Sequence, residues 1–144
     1  MTHVNDEKPM LRPRRRSQSK KRRGVATVEL AFLLPIMTVI VFGAIEGASM
    51  IFLRQALVQS SYEATKVAVK TGDKSAATNA ALAVTQGREI DSVQITFEPD
   101  DIASLEKGKL IRITVSAPGD SNSILPLGIF KGRTVAAAAA MVKE

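Results

Sequence analysis

The chain has no cysteine and no tryptophan, and among its 144 residues it has one histidine, His3, and one tyrosine, Tyr62. Without cysteine there is no disulfide, no thiolate nucleophile and no thiolate metal ligand. With its imidazole confined to position 3, the rest of the chain has no histidine to act as a general base or to bind a metal. No Walker-type glycine loop and no nucleophile elbow occurs. The pair Asp100 and Asp101 reads as a turn, because a carboxylate calcium site needs more oxygen ligands at defined spacing. No catalytic residue, metal ligand or cofactor site is expected.

Charge is short in one long region and crowded in another. Residues 1–24 hold nine Lys or Arg against Asp6 and Glu7, a net of +7, while the remaining 120 residues hold eleven basic and twelve acidic side chains, a net of −1. The sequence pI of 9.9 therefore belongs to the N-terminal tail. Such a tail can attract nucleic acid, but no aromatic or glycine-rich element accompanies it. The apolar segment after the tail points instead to a membrane, and no nucleic-acid partner is expected.

From Leu30 to Ile45 the chain reads LAFLLPIMTVIVFGAI, sixteen residues without a charge. Past Glu46, the apolar stretch continues through GASMIFL to Leu53, 24 residues in all. At about 1.5 Å per residue it reaches roughly 36 Å, enough to cross a ~30 Å hydrocarbon layer with some tilt. The basic residues, ending in Lys20, Lys21, Arg22 and Arg23, precede it, and only Arg54 and Lys66 lie closely beyond it. The positive-inside rule then places the N-terminus in the cytoplasm and the residues from about 54 onward across the membrane. A cleavable secretory signal is the rival, with GASM as a weak cut site.

One carboxylate, Glu29, stands just inside this run, where burial would be costly. The stretch RRGVATVELAFLLPIMTVIVFGAIEGASMIFLRQALVQSSYEATKVAVKTG resembles the N-terminal signature of the TadE-like proteins, pseudopilins of the tight-adherence (Tad/Flp) type IVb pilus systems of bacteria. The resemblance rests on the basic stretch, Gly24, Glu29 five residues on, Pro35 in the apolar run, Glu46 followed by Gly47, and the RQAL…A continuation. The C-terminal RTVAAAAAMVKE also resembles the family's last strand.

The resemblance implies cleavage between Gly24 and Val25 by a prepilin peptidase, with residues 1–24 as a removed leader. Glu29, then fifth in the mature chain, can neutralise the new α-ammonium of Val25 on its own or a neighbouring subunit. It also implies assembly with other pseudopilins, pilin and pilus assembly proteins as a homo- or hetero-oligomer, from a single-pass position in the bacterial inner membrane with a periplasmic head, in or beside the pilus. Pro35 removes one helical hydrogen bond and is expected to kink the span. Gly43 and Gly47 have the small-xxx-small spacing that lets helices approach closely. Glu46 is expected to snorkel to the far interface, or else to pair with another subunit. The alternative function is a signal-anchored envelope protein whose head binds a partner or ligand without pilus involvement.

The expected fold class is α+β: a long N-terminal helix, its first half transmembrane, packed on a small antiparallel sheet of about three strands. The span covers 25–53 and its continuation 54–72, with Leu53, Ala56, Leu57, Ser60, Ala64, Val67 and Ala68 on one face and Gly72 as C-cap. Residues 73–144 form the head. In it, 75–89 reads as a short helix capped by Ser75 and ended by Gly87. Strands are expected over 92–99, with Val93, Ile95 and Phe97 inward, over 110–118, with Ile111, Ile113 and Val115 inward, and over 133–144. Five consecutive alanines in the last favour helix by propensity. The patch Ile124, Leu125, Leu127, Ile129 and Phe130 is expected to be buried in the head rather than to meet a partner.

Overall fold

The computed structural model describes residues 19–124 and 131–144, with side chains described from Gly24 onward. Residues 1–18 and the patch residues Leu125, Leu127, Ile129 and Phe130 lie outside the described residues, as do the side chains of Lys20, Lys21, Arg22 and Arg23. The elements in chain order are α1 (Ser19–Thr71), α2 (Lys74–Gln86), β1 (Gln94–Glu98), β2 (Leu110–Pro118) and β3 (Thr134–Val142). The chain divides into two compact units at Thr38, inside α1.

The described residues of the first unit are helix. Val25, Val28, Leu30, Phe32, Leu33, Leu34, Ile36 and Met37 are all more than half exposed. A helix that is apolar all round suits lipid rather than water. α1 runs unbroken through Pro35. It is long and apolar enough to cross a membrane, and none of its most apolar 18-residue window is buried. One N-terminal apolar helix of this kind fits a single-pass anchor.

The second unit, Val39–Glu144, is α+β. Its sheet has the order β1-β2-β3, antiparallel throughout. Ile111, Ile113, Val115 and Ala117 of β2 are at most 1% exposed and face the same side as Phe97 of β1. The helical face read from the sequence is the one that packs: Leu53, Ala56, Leu57, Ser60, Ala64 and Ala68 are buried, and Val67 is half-buried against the core. Small residues on that face let backbones come close. Ser60 Oγ donates to the Ala81 carbonyl of α2 at 2.9 Å, and Thr65 Oγ1 donates to Ser61 at 2.7 Å, with Ala139 of β3 3.4 Å away. α2 answers with Ala77, Ala81 and Thr85, buried four residues apart.

α1 stops at Gly72, which adopts φ +64° while its N–H donates to Ala68 at 2.9 Å. That left-handed conformation is open to glycine at little cost. The cap of α2 differs from expectation. Asp73, not Ser75, is the N-cap, and its Oδ1 accepts from the Ser75 N–H at 2.8 Å. Gly87 comes after the last helical residue in an ordinary right-handed conformation, and the left-handed positions fall later, at Glu89 and Ser92.

β2 forms where alternation predicted it and β3 where a third strand was expected at 133–144, and β1 is shorter, Gln94–Glu98, with Phe97 buried and Ile95 half-buried. The alanine run is strand. Ala136 to Ala140 pair with Ser116 to Arg112, and ladder bonds to a buried strand outweigh a helix preference of at most ~1 kcal/mol per residue. The polar connection after β1 also supplies a core side chain, Ile102, 1% exposed. Lys143 secures that loop by donating from Nζ to the carbonyls of Ile102, Ala103 and Leu105 at 2.9, 3.2 and 2.7 Å. Ile124 corrects the burial expected for its patch: it is 74% exposed.

Candidate assembly interface

From Val25 to Thr38, α1 offers a largely apolar surface with one acid, Glu29. Gly24 lies within α1, and a Cβ there would meet nothing within 4 Å. Val25 is 60% exposed, and Glu29 is exposed with no hydrogen bond or ion pair among the described residues. Gly24, Val25 and Glu29 thus share one helical stretch with no side-chain partner that would hold Glu29 aside. Nearby, Thr38 Oγ1 bonds back to the Leu34 carbonyl at 2.8 Å, which satisfies the hydroxyl inside the apolar run.

Further along, Gly43 and Gly47 are half-buried, and neither has a neighbour within 4 Å of where a Cβ would stand. Their one-turn spacing leaves a shallow, open strip along α1. Glu46, between them, behaves differently from the snorkelling expected of it. It is 1% exposed, and among the described residues its Oε2 is buried without a hydrogen-bond partner. A buried carboxylate oxygen left unpaired costs on the order of 1–3 kcal/mol or more. Ser49, one turn on, is also buried, but its hydroxyl is used on the Ile45 carbonyl at 3.0 Å.

A second exposed strip is one that the sequence reading misses. Ile51, Val58 and Tyr62 are each at least half exposed, and with Arg54, Gln55 and Gln59 they line a groove of about 560 Å³ along α1. The spacing 51, 58, 62 is itself helical, so the pattern is present in the sequence. It is hidden there by the stronger buried face beginning at Leu53. Phe52, 57% exposed, has the Arg88 guanidinium 5.5 Å from its ring, and Arg88 also donates to Gln59 Oε1 at 2.6 Å. No group of three or more His, Cys, Asp or Glu that could hold a metal occurs among the described residues.

The arrangement is one of surfaces: an apolar helix with an unengaged acid, a glycine strip, a buried carboxylate with a free oxygen, and a groove along the second half of α1. Residues 24–66 match the family model of the TadE-like proteins. This is a TadE-like segment. No curated protein and no solved structure matches the chain.

The TadE-like match covers under a third of the chain and lies entirely within α1. It contains Val25, Glu29, Pro35, Gly43, Glu46 and Gly47, and begins at Gly24. It also takes in the groove residues Ile51 to Tyr62 and the buried face as far as Thr65. The sheet stands outside it, so the likeness of the C-terminal strand to the family rests on the sequence resemblance alone. TadE-like proteins belong to Tad pilus systems, and the match suggests involvement of this chain in such a system.

Proposed function

We propose that the protein is a minor pseudopilin of a Tad/Flp pilus system, needed for pilus assembly and hence adherence, that acts by protein–protein contact. The observation that carries the reading is the family match, which opens at Gly24, the residue after which a prepilin peptidase would cut. A Cβ at Gly24 would meet nothing within 4 Å, and glycine in a helix is less favourable than alanine by roughly 0.5–1 kcal/mol, which eases local unwinding for a protease. Cleavage there removes the basic leader and leaves the Val25 α-ammonium within about one turn of Glu29. Glu29 then neutralises that charge on its own subunit or on a neighbour, in a low-dielectric layer where such a pair is strong. Gly43, Gly47 and Pro35 shape the helix for close packing, and Glu46 keeps an oxygen for a partner subunit. The chain sits in the bacterial inner membrane, N-terminus cytoplasmic and head periplasmic.

The test is co-expression with a prepilin peptidase. A product starting at Val25, abolished by Gly24→Val, is expected. Recovery of the intact basic tail in the presence of active peptidase would overturn the reading. Glu29→Ala should leave membrane insertion unchanged and reduce co-purification with pilus components.

A further inference from the structure

The two edges of the sheet are treated differently. β1 has five residues, carries Glu98 and is closed by Pro99. Shortness, charge and proline are the usual means of blunting an edge. β3 has nine residues, and from Thr134 to Val142 it contains no charge, proline or glycine.

The ladder shows which backbone groups β3 leaves free. The Gly119 N–H donates to the Arg133 carbonyl at 2.8 Å, and the Lys143 N–H donates to the Lys109 carbonyl at 2.8 Å. With the register Pro118↔Thr134 to Leu110↔Val142, the odd-numbered residues of β3 are those bonded to β2. Thr134, Ala136, Ala138, Ala140 and Val142 therefore aim both N–H and C=O away from the sheet. Among the described residues nothing pairs with them. Their side chains are the exposed ones, and three are alanine, so nothing bulky screens the edge.

We propose that β3 is a self-pairing edge: two copies of this chain join their sheets through an antiparallel β3–β3 ladder with its two-fold axis at Ala138. The outward residues are symmetric about that alanine. Thr134 faces Val142, Ala136 faces Ala140, and Ala138 faces itself, so every outward N–H and C=O finds a partner with no side-chain clash. At the ends Arg133 of one copy stands opposite Lys143 of the other, and the guanidinium and ammonium groups are kept apart by their own surroundings. Arg133 and Arg54 share a groove with Met50, Thr134, Val135 and Ala136, and neither makes an ion pair among the described residues. Lys143 has its ammonium turned to three carbonyls of its own subunit. The pairing rests on the head alone and stands apart from the pilus reading.

The absence of cysteine makes the test direct. Residues facing each other in a hydrogen-bonded pair have Cα atoms about 5.5 Å apart, within disulfide reach. In membranes holding the full chain, mild oxidation of Ala138→Cys should give a disulfide dimer. Ala136→Cys alone should stay monomeric, and a mixture of Ala136→Cys and Ala140→Cys copies should cross-link. Adding Ala138→Lys to that mixture sets two like charges face to face and should abolish the cross-link, with the melting profile of the head unchanged. The proposal is overturned if Ala138→Cys remains monomeric, or if Ala136→Cys cross-links as readily by itself. It is equally overturned if Ala138→Cys is shielded from a maleimide without forming a dimer, which would give the edge to a different chain.

Discussion

The two halves of α1 make opposite use of side-chain size. Between Val25 and Phe42 the large side chains are exposed, Phe32 and Val39 by more than 70%. Between Leu53 and Val69 the buried face is largely Ala, Ser and Thr, and Leu57 is the largest fully buried side chain. Lipid accepts bulky apolar groups without a packing partner, whereas water must be excluded by fitted surfaces. In the second half, α2 and the sheet approach closely enough for Ser60 to reach Ala81, and that approach requires small residues. One continuous helix thus carries two kinds of surface, the first suited to lipid and the second to close packing.

The comparison breaks most visibly at leucine. Leu57→Ala should lower the stability of the head by about 2–5 kcal/mol through lost burial and a cavity, measured by denaturant unfolding in detergent. Leu33→Ala, the same change in the exposed half, should move it by no more than about 0.5 kcal/mol. Equal losses at both sites would mean that the first half is packed within the subunit. At the junction, Glu46→Gln keeps the shape and removes the ionisable carboxylate with the unpaired oxygen. It should raise the melting temperature of the isolated protein, by an amount corresponding to on the order of 1 kcal/mol, while weakening contact with a partner subunit if Glu46 serves assembly. A fall in melting temperature would show that the carboxylate is already satisfied.

The smallest effect lies away from the helix. The Ser104 hydroxyl and backbone N–H, then the Ala103 N–H and the charge of Lys143, hold the Asp101 carboxyl below its ordinary value of 3.8. A depressed folded value means that the stabilisation is present above the unfolded value and is lost as pH falls through the lowered one. Asp101→Asn should therefore flatten the acid limb of the head's stability profile slightly and leave neutral pH little changed. Melting curves between neutral and strongly acidic pH would show it.

Much of the fold is legible in the sequence because periodicity is local. The alternation of Ile111, Ile113 and Val115, and the 3- and 4-residue spacing from Leu53 to Ala68, each name an element and its buried face together. Sequence alone sets the cap of α2 two residues late. Asp73 and Ser75 are both good caps, and only the path of the chain after Gly72 selects between them. Ile102 escapes notice because the few apolar residues of DDIASLEK show no helix or strand period. Of the site, the cluster of Gly24, Glu29 and the apolar run is visible in the sequence, while the groove at Ile51, Val58 and Tyr62 is masked by its stronger neighbour. The burial of Glu46 is not readable from an apolar context that equally suits snorkelling.

Two alanine-rich segments mark the limit of sequence reasoning. AATNAALA lies in α2 and AAAAA lies in β3, although the second has the stronger helix propensity. By itself, the sequence determined the apolar span, the charge asymmetry across it and the strongly periodic elements, since these depend on neighbours within a few residues. Tertiary structure decided that the alanines become a strand, that Glu46 is enclosed and that one sheet edge stays open. Those outcomes depend on residues distant in the chain, and a buried β2 seeking a ladder partner contributes more than local preference can oppose.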